Sequence, residues 1–195
     1  SGKTNDEVVI ATKWWPLFRT AGNILRTINR RLYYLDGYSI SLYMVHQPFG
    51  FSSPEAEMDA MAELVRQGRI RSVGVSNFNP ERMLRAHRRL QEHGLSLAVN
   101  QVYYSLMNRS IEKDGTLAAA RDLGVTIIAY TPLEFGLLSG KYHKHPEFLS
   151  NKPLHWRYRL HASIEKSREL VAALEEIATG YGATPAQVAL NWVIH

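Results

Sequence analysis

Val8-Val9-Ile10-Ala11-Thr12 runs into Lys13, and Ser39-Ile40-Ser41-Leu42-Tyr43-Met44-Val45 runs into His46. Short apolar runs rich in β-branched residues read as strands. Each of these two stops at a side chain that carries charge or a proton. Active sites of parallel α/β barrels form at the carboxyl ends of the strands, which makes Lys13 and His46 the first candidates for chemistry. A surface lysine and a hydrogen-bonded structural histidine would produce either pattern alone, so the remaining strand ends carry the argument.

Along the rest of the chain, strand and helix alternate with short connections. Residues 20–35 read as a helix, with Ile24, Leu25, Ile28, Leu32 and Leu35 at helical spacing. Residues 54–67 repeat the pattern through Met58, Met61, Leu64 and Val65, and Gly68 is a stop. Ile70–Val75 is the next strand, and Asn79-Pro80 opens a helix with a cap and a proline at its first position. Leu97–Gln101 reads as a strand, 110–123 as a helix closed by Gly124, and Val125–Ala129 as a fifth strand ending on Tyr130. From Glu134 to Ser163 the rhythm breaks into a loop-like stretch, well beyond the roughly 12–15 residues at which a structureless loop becomes unusual. A helix over 164–180 follows, and Thr184-Pro185-Ala186-Gln187 is a capping box opening a last helix.

Such alternation implies a parallel sheet with helical crossovers, hence the α/β class, in one domain over residues 1–195. Five strands suit either part of a closed (β/α)8 TIM barrel, which needs eight, or an open doubly wound sheet. Periodicity does not choose between them.

Composition narrows the function. A hydrophobic fraction of 45% and a charged fraction of 21% are ordinary for a globular protein. The absence of cysteine excludes disulfides, thiolate metal sites and a cysteine nucleophile, and fits a cytoplasmic location. No run approaches the ~20 apolar residues of a membrane span, and the first residues do not read as a signal peptide. The net charge of +5 is spread over separate helices without interleaved aromatics, so nucleic acid is not an expected partner. Gly2-Lys3-Thr4 mimics the tail of a phosphate-binding loop but leads into a strand instead of a helix. His143, His145, His155 and His161 follow no metal-site spacing, and no metal is expected. Trp14 and Trp15 are candidates either for the substrate pocket or for packing under the loop.

All five strands end in groups suited to a polar ligand: Lys13, His46, Ser76-Asn77, Gln101 and Tyr130. Amides supply both donor and acceptor, as recognition of a carboxamide requires, and Tyr130 offers a flat face for a ring.

The segments VVIATK, LYMVHQP, RIRSVGVSNF, NQVYYSL and IIAYTPLEFGLLSGKY, in that order, resemble the aldo-keto reductases across essentially the whole chain. The resemblance implies a (β/α)8 barrel and reduction of small aldehydes or ketones with a nicotinamide cofactor, NADP(H) by family habit and NAD(H) as the alternative. It also implies roles. Lys13 and His46 match the catalytic lysine and histidine. Ser76, Asn77 and Gln101 match the residues that bond the nicotinamide carboxamide, and Tyr130 the residue that stacks on its ring. Thr131, Pro132, Leu133, Gly136, Leu138 and Lys141 match the loop along the pyrophosphate. A cofactor-sensing regulatory subunit of the channel β-subunit type is the rival reading; retention of His46 and of the Ser76-Asn77 pair favours the enzyme.

The family's proton-donating tyrosine and its aspartate lie before the lysine strand, and this sequence holds no match for either. Its last strand and helix, beyond His195, are also without a match. The expectation is therefore an internal fragment of a longer reductase, short of two strands at the front and one at the back, inactive and poorly soluble by itself. Substrate identity and oligomeric state are not legible.

Overall fold

The computed structural model describes residues 7–151 and 153–195; the Gly2-Lys3-Thr4 run lies outside them. Five strands form one sheet in sequence order: β1 (Ala11–Trp14), β2 (Ile40–Val45), β3 (Ile70–Ser76), β4 (Leu97–Tyr103) and β5 (Thr126–Tyr130). The pairings β1–β2, β2–β3 and β3–β4 are parallel, as helical crossovers demand. Between them run α1 (Gly22–Tyr34), α2 (Pro54–Arg66), α3 (Pro80–Glu92), α4 (Ser110–Lys113) and α5 (Thr116–Asp122). After β5 come a 3₁₀ turn (Glu134–Ser139), α6 (Lys141–Lys144), a second 3₁₀ turn (Pro146–Leu149), α7 (Leu154–Gly180) and α8 (Pro185–Ile194).

The chain packs as two compact units, one running to Val102 and taking in Ile111–Ile128, the other holding Tyr103–Ser110 and Ala129–His195. In the first unit the main core joins one face of the sheet to α1, α2, α3 and α5. Trp14, Ile40, Tyr43, Val45, Val73, Val75 and Leu97 supply the sheet side; Ile24, Ile28, Met58, Met61, Leu64, Met83, Leu90 and Ala120 supply the helix side. The opposite sheet face carries a separate small cluster of Leu42, Met44 and Val99, with Ala98 and Ile128 against it. Within this unit α1, α2, α3 and α5 all lie on one face, as in a barrel wall, whereas double winding would place helices of successive crossovers on both. Two bidentate ion pairs tie α2 to α3, Glu55 to Arg85 and Asp59 to Arg89.

In the second unit Leu137, Tyr142, Leu149, Leu160 and Ile164 form one cluster, and Leu138, Val171, Leu174 and Ala189 another. His143 is bonded through Nε2 to the Ile164 carbonyl and the Ser167 hydroxyl. No helix among the described residues is long and apolar enough to cross a membrane.

Three expectations change. The first strand occupies 11–14 instead of 8–12, because pairing with β2 starts at Ala11 opposite Leu42, while Val9 is left exposed. The helix expected over 110–123 is broken between α4 and α5, where Gly115 adopts φ +85° and the Asp114 carboxylate accepts the Thr116 N–H. The long loop is mostly helical: α7 starts at Leu154, ten residues earlier than expected, since Leu160 and Ile164 find apolar partners in Leu137, Tyr142 and Leu149.

Candidate active site

Lys13, His46, Ser76 and Gln101 fall on one face of the sheet, at or just past the carboxyl ends of four neighbouring strands. Lys13 pairs in register with Met44, and Ser76 with Gln101. Side chains alternate along a strand. Trp14 and Val45 point into the helix-covered core, so Lys13, Met44 and the following His46 point the other way. Val75 likewise belongs to the helix-covered core, which turns Gly74 and Ser76 to the Leu42–Met44–Val99 side.

β4 reaches the same side by a bulge. Val73 pairs with Leu97, but Gly74 pairs with Val99, so Ala98 is an extra residue. Val99 and Gln101 thereby face the Met44 side, while Asn100 turns to the helices, fully buried. There its amide donates to the Phe78 carbonyl at 2.8 Å and accepts the Phe78 N–H at 3.4 Å. Room for this packing depends on Gly74: a Cβ there would stand 2.6 Å from Val99 Cγ2 and 2.9 Å from Met44 Cγ.

The ends of β3 and β4 are locked together. The Gln101 carbonyl accepts both the Ser76 hydroxyl at 2.8 Å and the Asn77 N–H at 2.9 Å. Asn77 sits at φ +59°, a left-handed conformation that asparagine tolerates better than most residues. Its amide donates to Gln47 Oε1 at 3.2 Å and to Ser76 Oγ at 3.3 Å. Gln47, which follows His46 directly, is a contributor that the sequence reading passed over; its position at a strand end was the available signal. The Gln101 side-chain oxygen is buried and has no hydrogen-bond partner among the described residues. A buried acceptor left unpaired costs free energy that a ligand N–H would recover, and a carboxamide NH₂ is such a donor. The residues present therefore fit the carboxamide end of a nicotinamide.

Electrostatically, burial and the nearby Lys13 charge both press the His46 pKa below its ordinary value, burial contributing more. The imidazole is held neutral near pH 7, with one ring N–H to donate. Trp15 stands edge-on to it, with ring centroids 4.9 Å apart, and meets Phe49 at 6.0 Å. Trp14 is a core residue instead: fully buried, it donates its indole N–H to Asn23 Oδ1 at 3.0 Å.

The other expected residues belong to the second unit. Tyr130, which ends β5, is half-buried and stacks on Tyr103 at 5.5 Å and 17°; burial raises its pKa. Thr131 has φ +57°, a strained value for a β-branched residue. The Leu133 carbonyl then accepts the N–H groups of Gly136 and Leu138. Gly136 lies at φ +92°, where an added Cβ would stand 3.0 Å from Lys141 Cε. Lys141 itself is exposed, its ammonium 4.8 Å from the Tyr142 ring centroid. Pro132 is half-buried, and the Leu138 side chain is committed to the apolar cluster with Val171 and Leu174. The sequence reading also missed Glu134, whose carboxylate accepts the hydroxyls of Tyr103 and Ser105.

Comparison with known proteins bears on the family and the fold. The model of the aldo/keto reductase family matches residues 1–195. The chloroplastic pyridoxal reductase of Arabidopsis thaliana is 33% identical over 99% of this chain and 53% of its own length. The L-glyceraldehyde 3-phosphate reductase of Escherichia coli (strain K12) is 29% identical over 97% of this chain and 58% of its own length. Among solved structures, the thermostable aldo-keto reductase Tm1743 in complex with the inhibitor epalrestat superposes with a TM-score of 0.74 at 32% identity. That match covers 97% of this chain and 58% of Tm1743. The chain thus spans a little over half the length of these relatives.

Proposed function

Because this chain belongs to the aldo/keto reductase family, we propose that it forms the cofactor-seating part of an enzyme that reduces aldehydes or ketones to alcohols by hydride transfer from NAD(P)H, with NADP(H) the preferred form. The observation that carries the reading is the shared sheet face of Lys13, His46, Ser76 and Gln101, with the Gln101 side-chain oxygen buried and unpartnered.

The bound cofactor would supply the hydride. The chain's own residues do the rest. Gln101, with Ser76 and Asn77, holds the carboxamide and so fixes which way the nicotinamide lies; Tyr130 carries the ring. The loop of Thr131, Pro132, Leu133, Gly136 and Leu138 would lie along the pyrophosphate, and the exposed Lys141 would supply it a point charge. Hydride arrival builds negative charge on the carbonyl oxygen, which fixed donors must face. His46, kept neutral, donates an N–H to that oxygen and orients it. The Lys13 ammonium lowers the cost of the developing charge and favours ionisation of the family's proton-donating tyrosine.

That tyrosine and its aspartate have no match in this sequence. We therefore expect the 195-residue polypeptide alone to show no turnover, and the whole protein to show it. The test is loss of NADPH absorbance with a panel of aldehydes, using the whole protein and its Lys13→Met and His46→Ala variants. Turnover that falls by roughly a hundredfold or more in each variant supports the assignment. Tight NADPH binding by the whole protein without turnover on any aldehyde would replace it with a cofactor-sensing role.

A further inference from the structure

We propose that Glu134 is a positioning residue that holds the Tyr103 ring flat against Tyr130, and so sets the plane on which the nicotinamide ring stacks. The proposal rests on the reading of Tyr130 as the ring's platform.

The contacts form a chain. Tyr103 and Tyr130 are nearly parallel, 17° apart at a centroid separation of 5.5 Å, the offset-stacked arrangement that aromatic pairs favour. Tyr103 covers one face of Tyr130, so the nicotinamide ring would stack on the opposite one. A stacked phenol alone is free to slide and tilt. Tyr103 is not, because its hydroxyl donates to one oxygen of the Glu134 carboxylate, a charge-assisted bond. The other carboxylate oxygen accepts the hydroxyl of Ser105.

Ser105 is itself immobile. It is fully buried, its Oγ accepts the N–H groups of Met107 at 3.2 Å and Asn108 at 3.0 Å, and its backbone exchanges two hydrogen bonds with Asn108. Glu134 therefore connects a rigid turn at one oxygen to the Tyr103 phenol at the other. The backbone is bent to put it there: Glu134 and Phe135 lie at φ +50° and +56°, a conformation non-glycine residues adopt only when their surroundings hold them in it. Two adjacent residues in that state, with both oxygens of the first one's carboxylate hydrogen-bonded, mark the side chain as placed for a purpose that a solvated glutamate would not need.

A double-mutant cycle in the whole protein tests this, with NADPH dissociation constants and the emission spectrum of bound NADPH as readouts. Tyr103→Phe keeps the stack and removes the hydroxyl; Glu134→Ala removes its acceptor. Each is expected to weaken NADPH binding roughly tenfold and to shift the emission, and the double variant to be no worse than either single one. Glu134→Gln, close to isosteric and still able to accept one bond, is expected to lose less, and is the variant to read if Glu134→Ala does not fold. Losses that multiply in the double variant, or unchanged binding and emission in Glu134→Gln and Glu134→Ala alike, would overturn the positioning role. Tyr130→Ala separates the two layers of the argument. If it leaves NADPH binding intact, the platform reading fails and the proposal with it; if it weakens binding while the Glu134 variants do not, the positioning role alone fails.

Discussion

Glu57 should make the protein lose stability as the pH rises through neutrality. It lies on α2, with only 1% of its surface exposed, and its Oε2 is buried without a hydrogen-bond partner. The loop that follows His46 closes over it: a Cβ built on Gly50 would stand 3.2 Å from Glu57 Oε1. Burial pushes the carboxyl from 4.5 up to about 7, against the opposing pull of Arg82. The sign follows from linkage. Below pH 4.5 the group is protonated in both the folded and the unfolded chain. Above it the unfolded chain ionises while the fold still holds the proton, so stability declines until the pH passes about 7 and is level beyond. At about 1.4 kcal/mol per pH unit, the displacement corresponds to about 3 kcal/mol. Glu57→Gln keeps the shape and cannot ionise. Urea unfolding of the two proteins at a series of pH values should therefore show the variant gaining on the parent by up to about 3 kcal/mol between pH 4.5 and 8. Stability curves that run parallel across that range would refute the reasoning, since they would mean that Glu57 ionises in the fold as easily as in water.

Lys13→Met should raise the His46 pKa, read from the imidazole resonances in an NMR titration, but only part of the way, because burial is the larger cause of its depression. No movement would mean that the two side chains do not share the strand-end site. Gly74→Ala forces a methyl group against Val99 and Met44 and should cost about 1–3 kcal/mol in urea unfolding; a neutral result would contradict the close approach of β2, β3 and β4 there. Thr184→Ala removes the hydroxyl that accepts the Gln187 N–H in the capping box of α8, with an expected loss of about 1 kcal/mol by the same measurement. An unchanged midpoint would show that α8 does not depend on its cap.

Much of the fold was legible because its signals are local. Asn79-Pro80 and Thr184-Pro185 open helices as their side chains require, and Gly68 closes one at φ +66°. The strand ends were legible for a similar reason: a polar group that interrupts an apolar run is visible in one dimension. What escaped depends on distant partners. The frame of β1 is set by β2, about thirty residues away. The first turns of α7 carry His155, Trp156 and Tyr158, poor advertisements for a helix, and acquire a core only through Leu137 and Tyr142. Tyr103, Ser105 and Glu134 meet across roughly thirty residues with no spacing rule to announce them. Glu57 had a signal that went unused: it occupies the same helical stripe as Met61 and Leu64, where a carboxyl is out of place.

The extra residue in β4 gives the site a parity. Were Ala98 instead brought into the ladder opposite Gly74, with the pairing of Val73 and Leu97 kept, Asn100 would come to stand beside Ser76, and Gln101 would turn to the helices. The two amides, chemically alike but one methylene different in reach, would exchange duties: the one that now braces Phe78 would be offered to the ligand, and the one left unpaired would be driven into the apolar layer. Substitution can therefore vary the residues of this strand one at a time, while pairing Ala98 like its neighbours inverts everything beyond it. Sequence drift in β4 is tolerable where a slip in its register is not.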